Sequence, residues 1–427
     1  MKKYLSNTIK YILKLESKIA FYPSLLSLSG LLFALLMYYF ESKGISGYLL
    51  EHAPVFVVND TETARSLLTT FIAGLISIMV FSFSLVMILL NQASSNFSPR
   101  VLPGLISNRR HQVILGIYNS TLLYCIFTLV SIEPNGNEYQ LPGFSVLLAI
   151  LLMTLCLGAF IYFIHSISQE IQVNNIMDRI FNTAKLRLEK LIESENGITS
   201  DFPDTSQWKT LNANTSGYFQ DISIEALKII SEREALKLEI LPIKGTYVLS
   251  ELPILKVDKD LDDEVLNEIL SSLLFSKSEL IEDNYVLAFK QITEIAVKAM
   301  SPGINDPGTA LNAIDYLTEL FALRLQKSNT SIICDENSCP ILKVSTVDFK
   351  DILFQVMAAL RTYSKHDVII VQKLFFMLNY LYNSETMALK IYKKAIKQEL
   401  KNLYEDALEN IKTDADIEAI KLLHPAI

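Results

Sequence analysis

SLLTTFIAGLISIMVFSFSLVMILL, residues 66–90, runs for 25 positions without one charged side chain. A helix needs about 20 mostly apolar residues to cross the hydrocarbon core of a bilayer. Lipid offers backbone amides no partner, so a stretch this apolar is expected to be helical and to span a membrane. That reading decides the fold class.

Working outward, the same criterion marks residues 24–40, 113–130 and 144–164, making four expected transmembrane helices. Phe21 and Tyr22 stand at one end of the first, and Tyr38, Tyr39 and Phe40 at the other. Amphipathic rings favour the two water interfaces, so they read as a belt. A cleaved signal peptide is the rival for this segment, but the long stretch before it and the lack of a small-residue cleavage pattern speak against that.

Half of the 427 residues are apolar and 20% are charged, and the apolar excess lies almost wholly before Ser166. The net charge of -8, with no basic arm to offset it, excludes nonspecific nucleic-acid binding. Lys2, Lys3, Lys10, Lys14 and Lys18 precede the first span, and Arg100, Arg109 and Arg110 lie between the second and third. The opposite side has only Lys43 and Arg65 in one loop and neither Lys nor Arg in the other, EPNGNEYQLPG. Lys and Arg accumulate on the cytoplasmic side, so both termini are expected in the cytoplasm, with the protein multi-pass in a bacterial inner membrane.

Beyond the spans, residues 167–214 read as an amphipathic helix and a polar linker, residues 215–260 as a small β subdomain and residues 261–427 as a helical domain. The β reading rests on GYFQDIS and ALKLEILPIKGTYVLSELPILKV, rich in β-branched and aromatic residues and punctuated by Gly and Pro.

The second span carries a pattern. Thr70, Ser77, Ser84 and Asn91 recur every seven residues, with Ser66 and Ala73 beside them, forming one helix stripe. Two readings stand: the lining of a pore, or a surface of small residues for close helix packing in lipid. No span has an acid or base near its midplane, which argues against a proton-coupled transporter. At the cytoplasmic exit, Gln92, Ser95, Asn96, Ser98 and Arg100 could form a pore mouth or an interfacial turn capped by its own side chains.

In SPGINDPGTALNAID, Asp306 fits a helix N-cap and Pro307 the first helical position, so the helix is expected to begin at Gly308. Asn305, Asp306 and Thr309 are candidate ligand contacts there, although the charge of Asp306 opposes an anion; a plain interhelical turn is the alternative.

Cys334 and Cys339 flank CDENSC, but two thiols without a nearby histidine do not make a zinc site. The chain has no Walker loop, GxGxxG, HExxH or GxSxG, and its five histidines are scattered. No enzymatic activity, metal or cofactor is expected.

ARSLLTTFIAGLISIMVFSFSLVMILLNQASSNFSPRVL, LGIYNSTLLYCI and IAVKAMSPGINDPGTALNAIDYL together resemble the bacterial predicted-membrane-protein family called domain of unknown function 2254. The resemblance covers most of the chain and implies four spans with a cytoplasmic soluble region. The 215–260 stretch is also similar to small barrels of the lipoyl type, with KGTYVL as a Gly-x-x-Val turn. Glu251 departs from that pattern where a second glycine belongs, and no lysine sits in an attachment motif, so no carrier role is implied. The expected fold class is thus membrane α-helical plus a mixed α+β cytoplasmic domain with a small β-barrel-like segment and C-terminal helices. Its expected partners are the lipid membrane, further copies of the chain in a homo-oligomer, and an ion or small ligand. Expected functions are a channel- or permease-like oligomer with a cytoplasmic gating domain, or a membrane-anchored sensor or scaffold.

Overall fold

The computed structural model describes residues 21–96, 109–132, 141–170, 172–195, 202–277, 284–335, 339–384 and 389–423. They form two compact units that part between Gln172 and Val173.

The first unit contains α1 (Phe21–Ser42), α2 (Ile45–His52), α3 (Thr61–Asn96), α4 (Arg109–Val130) and α5 (Gly143–Glu170). Of these, α1, α3, α4 and α5 are long and apolar enough to cross a membrane, and each contains one expected span. The helices overrun the apolar windows because helix geometry continues past the hydrocarbon core where caps allow. At the start of α3 the cap is Asp60, whose carboxylate accepts the Thr63 amide at 2.7 Å.

α1 and α4 pack closely because each contributes a glycine to the crossing. A Cβ on Gly30 would collide with the backbone of Ser120, and one on Gly116 with Leu26. Small residues admit such approach, and in lipid van der Waals fit must supply what hydrophobic exclusion cannot. Phe33 stacks on Tyr124 at 5.4 Å beside the same seam.

The second unit begins with α6 (Val173–Glu195), the amphipathic helix expected after the fourth span. Its strands are β1 (Lys209–Asn212), β2 (Gly217–Ile222), β3 (Leu238–Ile240), β4 (Tyr247–Val248), β5 (Pro253–Val257), β6 (Leu273–Ser276), β7 (Thr330–Cys334) and β8 (Pro340–Ser345). They form two sheets, ordered β1-β5-β3-β8-β7 and β4-β2-β6. Only β3 and β8 pair in parallel, with Leu238 opposite Leu342.

Three expectations change here. First, β1 lies in the stretch read as linker, and β6 to β8 lie in the stretch read as helical. Second, residues 224–234 form a helix, α7 (Ile224–Glu234), inside the stretch read as β. Its buried Leu227, Ile230 and Ser231 follow helical spacing, a signal that the neighbouring β-branched runs masked. Third, among the described residues the strands close no barrel. β3 sits between β5 and a strand about a hundred residues away in the chain, so its pairing is decided by distant sequence rather than by a local barrel. The expected glycine position is nonetheless informative: Glu251 has φ 68°, in the left-handed region that favours glycine.

The remaining helices are α8 (Asp263–Ser271), α9 (Tyr285–Ala299), α10 (Pro307–Arg324), α11 (Phe349–Ser364), α12 (Val368–Asn383), α13 (Leu389–Asn410) and α14 (Asp414–Leu423). Their core holds a run of rings, Phe289, Phe321, Phe349 and Tyr392, with successive centroids 4.6, 5.8 and 4.6 Å apart.

Candidate functional site

The patterned stripe of α3 is the first candidate. Ser66, Thr70, Ala73, Ser77, Ser84 and Asn91 are all exposed, whereas Leu68, Leu75, Ser82 and Leu89 are buried. Both sets repeat every seven residues, offset by two, and two positions turn an α-helix by about 200°. The hydroxyl stripe therefore points away from the helices of its own chain. On the flank of the stripe α3 also meets its own chain, with Phe81, one turn after Ser77, edge-on to Phe160 at 5.9 Å. Thr70, Ser77 and Ser84 donate to the carbonyls of Ser66, Ala73 and Val80, four residues back, at 2.8, 2.9 and 2.9 Å. Each hydroxyl is thus satisfied within its own helix and needs no water or partner to be stable in hydrocarbon.

Of the exit residues, Gln92 is exposed on α3, Ser95 and Asn96 lie in its last turn, and Ser98 and Arg100 fall outside the described residues.

The turn before α10 is built as its sequence suggests. Pro307 is the first helical residue and Asp306 its N-cap, as expected, and the Asp306 carboxylate accepts the Thr309 amide at 3.1 Å and its hydroxyl at 2.6 Å. Asn305 takes a left-handed conformation at φ 49°, and its amide donates to Ser301 at 2.9 Å. The structure brings Asp306 and Thr309 together, and the cap occupies an amide that an anion would otherwise use. Asn305 and Asp306 are both exposed.

Sequence reasoning passed over a carboxylate at the end of α1. Glu41 Oε1 accepts the Ser145 amide and hydroxyl, both at 2.8 Å, and Oε2 accepts the Ser46 hydroxyl at 2.6 Å. Ser46 in turn accepts the Phe144 amide at 3.0 Å. One acid thereby caps the N-terminus of α5 from another span, where the helix dipole favours negative charge. The signal was an acid at a span end facing a loop, but sequence could not say which helix it would meet.

In the second unit, Glu239 on β3 lies between its register partners Lys256 and Lys343. Its carboxylate stands 2.7 Å from Lys343 and 3.7 Å from Lys256. Burial pushes the acid up, but hydrogen bonds from Lys343 and Thr205 and both lysine charges outweigh it and hold it below the usual glutamate range. Glu399 goes the other way: burial raises it, although Arg361 stands 3.3 Å away and opposes the shift. The half-buried Asn329 Oδ1 joins three elements, accepting from Arg324 at 2.7 Å, Tyr392 at 2.9 Å and the Phe349 amide at 3.2 Å. These groups organise the fold, and their partners are already assigned. Among the described residues no cluster of His, Cys, Asp or Glu has the arrangement of a metal site.

A pocket of about 120 Å³, partly open to solvent, lies between the two sheets of the second unit, bordered by Ile222, Ile243, Val286, Ile333 and Val344.

The family model described as Predicted membrane protein (DUF2254) matches residues 16–380. The chain belongs to this family. Uncharacterized proteins of Mycobacterium bovis and of two strains of Mycobacterium tuberculosis are each 23% identical over 278 residues, covering 60% of the chain. The chain spans about half the length of these relatives, 51% in each case. No solved structure matches it significantly. Membership of DUF2254 thus establishes a membrane protein, and no relative supplies an activity.

Proposed function

We propose that this DUF2254 protein acts as a channel- or permease-like homo-oligomer in the bacterial inner membrane, with both termini cytoplasmic and the soluble unit gating the passage. One observation carries the reading: the stripe of Thr70, Ser77, Ser84 and Asn91 faces away from its own chain. A side chain turned outward from a membrane unit meets lipid or another protein chain. Hydroxyls and small residues gain nothing from lipid tails, but they permit close helix approach and offer polar atoms to a passing solute.

The test is cross-linking of single cysteines in native membranes. Cysteines replacing Thr70, Ser77 and Ser84 should form disulfide-linked dimers, and those replacing Leu68 and Leu75 should not. Ser77→Trp should then reduce conductance in reconstituted bilayers. Absence of cross-links along the stripe would remove the basis for the oligomer.

The alternative, a membrane-anchored sensor or scaffold, is favoured by a separate observation: the cavity between the two sheets of the soluble unit.

A further inference from the structure

Protein interiors are close-packed, and voids larger than a water molecule are few. The pocket between the sheets is partly open to solvent, and its walls come from distant parts of the chain. Ile222 ends β2, Ile333 lies on β7 and Val344 on β8, and all three also pack against the buried core around Phe219, Leu238 and Leu342. Among the described residues no side chain fills the space they leave.

The polar groups around it already have partners. Lys244 pairs with Asp221 at 3.0 Å, which cancels the two charges locally. Asn284 gives its amide to the Lys244 carbonyl and accepts the Val286 amide, both at 3.1 Å. The Thr346 hydroxyl donates to the Asn329 carbonyl at 2.7 Å, and Arg187 at the rim is likewise engaged. A charged ligand would have to break these pairs and shed its own hydration, whereas an apolar one would only displace poorly bound water. An apolar cavity of roughly 150 Å³ suffices to hold benzene, and about 120 Å³ is of that order.

We infer that the soluble unit binds an uncharged, largely apolar small molecule with a single ring, or a chain of similar bulk, between β2 and the β7–β8 hairpin. This rests on the sensor reading and deepens it by assigning the class of ligand; it does not depend on the proposed passage.

The probe is para-fluorophenol, uncharged at neutral pH, with para-fluorobenzoate as its charged counterpart. Both are titrated by fluorine NMR against the full chain in nanodiscs, with protein-free discs subtracted. Saturable binding of one fluorophenol per chain is expected, with fluorobenzoate at least about tenfold weaker. Ile333→Phe and Val344→Phe each fill the cavity and should weaken fluorophenol binding by about tenfold or more, without lowering the unfolding midpoint. Either variant suffices if the other does not fold. The inference is overturned if the wild-type chain shows no saturable binding, if both probes bind equally, or if binding survives in a folded cavity-filled variant. A scaffold that recruits a protein would survive that result, and pull-down with the soluble unit exposed on inverted vesicles would tell the two apart.

Discussion

Glu41 at the end of α1 receives both the amide and the hydroxyl of Ser145, each at 2.8 Å, across more than a hundred residues of chain. The contact fixes where the first span ends relative to the start of the fourth. Tyr124 reinforces it by donating to the Ser145 carbonyl at 3.0 Å, so α1, α4 and α5 are tied at one level.

Replacing Glu41 with alanine should therefore leave the Ser145 amide and the Ser145 and Ser46 hydroxyls without their acceptor. Loss of a helix cap, with a charged hydrogen bond included, typically costs about 1–3 kcal/mol. Unfolding of the purified protein in mild detergent should shift to lower temperature, and Glu41→Gln, which keeps one acceptor oxygen, should fall between. A midpoint unchanged in Glu41→Ala would show that solvent replaces the cap without loss.

Glu239 links stability of the mixed α/β unit to pH. Its folded carboxyl titrates below the usual glutamate value near 4.5, so its contribution is complete above that value and is lost as pH falls through the lower folded one. Glu239→Gln should lose about 1–2 kcal/mol at neutral pH and show a shallower decline into acid. The loss is small because Lys256 and Lys343 remain partly hydrated. Trp208, the single tryptophan, lies tilted against Phe202 with ring centroids 5.6 Å apart, in the segment that carries Thr205 and leads into β1, so its fluorescence reports on this sheet. An equal acid slope in the wild type and the variant would refute the assignment.

Glu251 holds a left-handed backbone at φ 68°, which a side chain disfavours by about 1–2 kcal/mol. Glycine removes that strain but loses more chain entropy on folding, about 0.5–1 kcal/mol. Glu251→Gly should thus be neutral to stabilising by about 1 kcal/mol, whereas Glu251→Val, with a branched Cβ, should destabilise. Thermal midpoints of the three proteins decide it; a loss of stability in the glycine variant would contradict the strain.

How far each feature was legible depended on how local its cause was. The cap of α10 was readable because Asp306, Pro307 and Thr309 lie within four residues and act on one another. The α3 stripe was readable as a stripe, since periodicity belongs to the helix itself. Its direction was not: that depended on Leu68, Leu75 and Leu89 meeting the rest of the unit. Residues 217–257 read as strands in large part, but α7 hides within them, and a local barrel could not be told from a sheet completed by β8.

The sequence by itself determined four helices long and apolar enough to span a membrane. Backbone amides in hydrocarbon must bond within their own segment, so the length and apolarity of residues 66–90 suffice to specify a spanning helix. Only the tertiary structure decided that Glu41 caps α5, that β3 pairs with β8, and that the hydroxyls of Thr70, Ser77 and Ser84 turn outward. Each of those depends on which distant residues come together, and no local stretch of sequence carries that information.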